Sequence, residues 1–66
     1  MNYPAKNLSP GDVINYLDLT VTIIGEQEAD KNQFGLPWFR YLAETSGRTG
    51  YISFGPSGTV ELIGKA

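Results

Sequence analysis

Sixty-six residues give one domain, and 41% hydrophobic with 12% aromatic content fits a folded globule, not a disordered tail. The absence of Cys and His excludes disulfides, zinc fingers and iron–sulfur clusters, so the core holds the fold alone or with a partner subunit. A net charge of −2, with basic residues scattered at Lys6, Lys31, Arg40, Arg48 and Lys65, disfavours nucleic acid as the main ligand.

No apolar run reaches the roughly 20 residues that span a bilayer, so no membrane segment is expected. MNYPAKNLSPGD lacks the apolar centre of a signal peptide. A soluble, cytoplasmic protein is therefore the default expectation. The initial Met fits either a complete small protein or an expressed fragment.

Residues 1–10 read as an extended lead-in, because Pro4 and Pro10 hold Tyr3 and Ser9 away from the helical region. Pro10-Gly11 signals a turn. Asp12 to Leu17 is a short strand candidate, and Leu19 to Ile24 is the clearest one. There Leu19, Val21 and Ile23 alternate with Thr20, Thr22 and Ile24, and β-branched residues dominate. Asp18 marks a bend between the two runs, with one long bent strand from Asp12 to Ile24 as the alternative.

Glu26 to Gly35, EQEADKNQFG, is dense in charge and reads as a solvated loop, with a single helical turn around Glu28–Asn32 as the alternative. Leu36 to Glu44 is the next strand, with Pro37 at its start, where a missing N–H is tolerated. Phe39, Tyr41 and Ala43 form its uniformly apolar face, and Trp38, Arg40, Leu42 and Glu44 the opposite one. Thr45-Ser46-Gly47 turns into the strand Arg48 to Phe54, where Gly50 suggests a bulge or close backbone approach. Gly55-Pro56-Ser57-Gly58 connects to the final strand, Thr59 to Ile63.

Short strands separated by turn signals, with no room for a crossover helix, imply an all-β, five-stranded antiparallel barrel. Its expected core is Val13, Leu19, Val21, Ile23, Phe39, Tyr41, Ile52, Phe54, Val60 and Leu62.

The motif order resembles the SH3 family, including its bacterial SH3-type members. LSPGDVI (Leu8 to Ile14) is similar to the exit from the family's first long loop. PWFRYLAETSGRTGYI (Pro37 to Ile52) is similar to its tryptophan strand, distal hairpin and G-x-x-G-Y-[IV] strand. TVELI (Thr59 to Ile63) is similar to its closing strand. The resemblance covers about half of the chain. It implies an SH3-like barrel that docks peptides or other proteins. The family's Tyr-rich first strand is not recognisable here, and its P-S-N-Y segment is replaced by SFGPSGT. The usual proline-peptide groove is therefore incomplete.

Catalysis lacks its commonest base and its thiol nucleophile, so no enzymatic activity and no cofactor are expected. Glu26, Glu28 and Asp30 alternate, but without EF-hand spacing or glycine, and read as solvated acids and not as a metal site. Binding has more support. Trp38 sits opposite the expected core face beside Arg40, and aromatics with Arg anchor interfaces. Tyr51, Tyr16, Phe34 and Pro56 complete the candidate set. The competing assignment of Trp38 is a plug at the open barrel end. Two other function classes stay open: a homo-oligomeric structural protein, and a small viral or regulatory protein that uses its acidic loop against a host protein.

Overall fold

The computed structural model describes residues 2–65, so Met1 of the extended lead-in and the terminal Ala66 lie outside the described residues. Seven strands are found: β1 (Asn2–Pro4), β2 (Asp12–Tyr16), β3 (Leu19–Ile23), β4 (Glu28–Lys31), β5 (Pro37–Thr45), β6 (Arg48–Phe54) and β7 (Thr59–Lys65). They form one antiparallel sheet in the order β1-β7-β2-β3-β5-β4, with β6 added to β5. The sheet curls into a half-barrel. Among the described residues, no helix is long and apolar enough to cross a membrane.

Two additions account for the departure from a five-strand count. The lead-in supplies β1, which pairs Asn2 to Pro4 with Glu61 to Thr59 of β7. It then forms one 3-10 turn over Ala5–Asn7. The acidic segment supplies β4, which pairs Glu28 to Lys31 with Arg40 to Pro37. The middle of the acidic segment is thus a strand, not a loop or a helical turn, while its side chains stay largely exposed as the composition suggests. β3 and β4 flank the same edge of β5 in succession. Between them Ile24 N–H and Gly25 N–H both donate to the Leu42 carbonyl, at 2.9 and 3.0 Å, which is the pattern of a bulge. A Cβ on Gly25 would stand 2.9 Å from that of Leu42, so the bulge needs glycine there.

Turn chemistry sets the hairpins. Leu17 and Asp18 both have positive φ, 50° and 66°, and reverse the chain between β2 and β3. This is a hairpin, not one bent strand. Ser46 and Gly47, at 51° and 77°, do the same between β5 and β6. Paired positive φ values twist a two-residue turn in the sense of the strands it joins. β6 then pairs with β5 without interruption from Arg48 to Phe54, so Gly50 is not a bulge. The bulge near the chain end lies in β7, where Val13 faces Gly64 and Ile14 faces Leu62, leaving Ile63 unpaired.

The concave side of the sheet carries the core. Val21, Ile23, Phe39, Tyr41, Phe54 and Val60 are buried as expected, and Ile52 and Leu62 pack partly buried against them. Phe39, Tyr41 and Phe54 meet at tilted or edge-on angles, with centroids 5.8 to 6.4 Å apart. Two expected core residues are displaced. In β2 it is Ile14, not Val13, that points inward, and one step of register moves every side chain to the other face. Leu19 is exposed, because it sits beside the turn at the open end of β3.

The lead-in adds core that the sequence pattern did not reveal. Ala5 and Leu8 are buried. Ala5 N–H donates to the Gly58 carbonyl at 3.0 Å. The Tyr41 hydroxyl donates to the Ala5 carbonyl at 2.7 Å and accepts from Gln27 Nε2 at 3.0 Å. Tyr41 therefore pins the lead-in across the concave side of the sheet and satisfies its own buried oxygen.

Candidate functional site

The outward face of β4, β5 and β6 gathers most of the candidate residues. Strand alternation puts Trp38, Arg40 and Leu42 of β5 outward, since Phe39, Tyr41 and Ala43 are buried. The register then sets their neighbours. Asp30 of β4 faces Trp38, and Glu28 faces Arg40. On the other side Ser53 of β6 faces Arg40, and Tyr51 faces Leu42.

Arg40 is the centre of this arrangement. Its guanidinium carbon lies 4.3 Å from the centroid of the Tyr51 ring, a cation–π contact. Its Nη2 pairs with Glu28 Oε1 at 3.2 Å. Its Nε is buried without a hydrogen-bond partner among the described residues. The ion pair is half-exposed, so its energetic value is small, and its effect is to hold the guanidinium plane over the ring. Tyr51 itself remains 51% exposed.

Trp38 is 36% exposed. Its indole lies against Gly55, where an added Cβ would stand 3.4 Å from Nε1. Trp38 is therefore partly exposed beside the turn that carries exposed Pro56.

Phe34 occupies the tip of the hairpin between β4 and β5. Asn32 organises that tip: its Oδ1 accepts from the N–H groups of Phe34 and Leu36, both at 2.9 Å. Phe34 is thereby held outward, 76% exposed. Phe34 and Trp38 are the apolar walls of an open depression of about 450 Å³, with Asp30, Lys31, Asn32, Gln33 and Ser53 as its polar lining. The Ser53 hydroxyl donates to Asp30 Oδ2 at 3.2 Å.

Tyr16 does not join this surface. It lies on the concave side, with its ring edge-on to Phe54 at 5.7 Å and 83°. It also borders a second, apolar depression of about 240 Å³, formed with Leu19, Val21, Ala43, Gly50 and Ile52. The Ala43–Gly50 pair leaves this space open, because neither residue carries bulk. Sequence reasoning did not anticipate it. The cue was present in two small residues that a hairpin with Ser46-Gly47 at its turn brings opposite each other.

The acidic residues do not converge. Glu28 is paired with Arg40 and Asp30 with Ser53, and among the described residues no group of three acids is placed to hold a metal ion. Among the described residues, the one buried charge is remote from the site. Asp12 is 2% exposed, pairs with Lys65 Nζ, and accepts the Ser9 N–H at 2.9 Å. Burial raises its carboxyl pKa, but the Lys65 and Ser9 hydrogen bonds outweigh that and hold it below the ordinary carboxylate value.

No family model, no curated protein and no solved structure matches this chain.

Proposed function

We propose that this chain is a non-enzymatic binding module, an SH3-like half-barrel that holds a protein or peptide segment on the outer face of β4, β5 and β6. The observation that carries this reading is the joint placement of Trp38, Arg40 and Tyr51 on one face, with Arg40 stacked 4.3 Å over Tyr51. The order β7-β2-β3-β5-β6, with β4 continuing β3 along β5, supports the SH3-like assignment.

The physical case is one of pre-organisation. Burying a tryptophan and a tyrosine releases ordered water from large apolar areas, and rings lose little rotamer entropy on contact. Arg40 is already oriented by Glu28 and Tyr51, so little further ordering is needed on binding. The Phe34–Trp38 depression offers space for one apolar side chain of the partner, and the Asp30–Ser53 pair offers a polar rim.

Capture from a cell lysate with the wild type and a Trp38→Ala variant tests this reading. The expected result is loss of a specific partner while circular dichroism shows an unchanged fold. Unchanged capture by the variant would remove the Trp38 face from consideration.

A further inference from the structure

We infer that β6 is also a self-pairing edge, through which two copies of this chain join in an antiparallel, two-fold arrangement centred on Tyr51. The inference uses the free main-chain edge of β6, and it brings the partner's Tyr51 beside the same outer face on which the peptide-binding reading places Tyr51.

In a two-residue hairpin the residues flanking the turn, Thr45 and Arg48, form a hydrogen-bonded pair, and such pairs alternate along an antiparallel ladder. The main-chain groups of Arg48, Gly50, Ile52 and Phe54 therefore point to β5. Those of Thr49, Tyr51 and Ser53 point away, to an edge with no strand partner among the described residues. Sheet edges are ordinarily shielded by proline, lysine, a bulge or a covering segment. β6 is Arg48-Thr-Gly-Tyr-Ile-Ser-Phe54, with no proline, its one charged residue at the turn end and an uninterrupted register.

The occupant follows from the strand's own symmetry. Tyr51 is its midpoint. A two-fold axis there pairs Tyr51 with its counterpart, Thr49 with the partner's Ser53, and Gly50 with the partner's Ile52. The three outward-facing residues then meet as hydrogen-bonded pairs. Thr opposite Ser and Tyr opposite Tyr are favourable cross-strand pairs. On the concave side, the partner's Ile52 sits over Gly50. There a Cβ on Gly50 would meet nothing within 4 Å, beside the apolar 240 Å³ depression. A domain this small also has little burial of its own, and it gains stability from a second copy.

Sedimentation from about 10 μM to about 1 mM tests the pairing, a range set by the modest area of an edge contact. The expected result is growth of a species of twice the 7.2 kDa chain mass. Thr49→Pro removes an outward N–H without touching the β5 ladder, and Gly50→Val fills the space the partner's Ile52 needs. Each is expected to leave a monomer with the native dichroism spectrum. In this cysteine-free chain, Tyr51→Cys is expected to cross-link under oxidising buffer, and Thr49→Cys is not. A monomer at every wild-type concentration would overturn the proposal. So would a dimer that both folded variants retain, or equal cross-linking at both positions. Trp38→Ala is expected to keep the dimer, so failure here is distinguishable from failure of the peptide-binding reading.

Discussion

The guanidinium of Arg40 rests 4.3 Å from the centre of the Tyr51 ring, on adjacent strands of a surface that has no core to protect. A contact of this kind at an exposed site is worth about 0.5–1 kcal/mol. A double-mutant cycle of Arg40→Ala and Tyr51→Ala, followed by chemical denaturation, should return a coupling energy of about that size. Additivity of the two single substitutions would show that the stack is incidental.

Tyr41 should be the most informative core position. Its hydroxyl serves the Ala5 carbonyl and Gln27 together, on the concave side of the sheet. Tyr41→Phe keeps the ring and leaves the Ala5 carbonyl without its donor, at a cost of about 1–3 kcal/mol. Amide exchange should quicken first at Ala5, whose N–H donates to Gly58. A fully protected Ala5 amide in a destabilised variant would contradict this account of the lead-in.

The turn between β2 and β3 holds a correctable strain. Leu17 adopts φ 50° with its side chain 79% exposed, so its hydrophobic bulk contributes little and its backbone is disfavoured. The double substitution Leu17→Asn and Asp18→Gly installs the preferred residues for two positive φ values. A gain of about 1 kcal/mol is expected by thermal or urea denaturation.

Acid should act through Asp12. Its carboxyl pKa is lowered in the folded chain, so ionisation stabilises the fold above the unfolded value of about 3.9. That contribution is lost as pH falls through the folded value. Wild-type stability should therefore decline in the acid range below about pH 3.9, and Asp12→Asn should be less stable at neutral pH and flatter across that window. A parallel decline in both proteins would assign the acid sensitivity elsewhere.

Much of this fold was legible in residue alternation. Phe39, Tyr41 and Ala43 against Trp38, Arg40 and Leu42 is a two-residue period that assigned both faces of β5 correctly. That assignment is also what brought Trp38, Arg40 and Tyr51 to one surface. β4 was hidden because it buries no apolar side chain: Glu28, Ala29 and Lys31 are exposed and Asp30 is only partly covered. Its strand state comes from the partner β5, a tertiary effect that local composition does not report. The inward turn of Ile14 in place of Val13 was hidden for a related reason. Asp12 shares Ile14's face, and a buried carboxylate reads as surface until Lys65 and Ser9 are seen around it. Tyr16 follows the same alternation inward, which is why it leaves the aromatic surface it was grouped with.

Backbone amide shifts of the labelled protein, recorded while a captured partner segment is titrated in, test the central claim most directly. The account predicts that perturbations concentrate at Trp38, Arg40 and Tyr51, with the Phe34 hairpin and the Trp38 indole N–H shifting alongside. Perturbations confined to the concave side, around Tyr16, Leu19 and Val21, would contradict it.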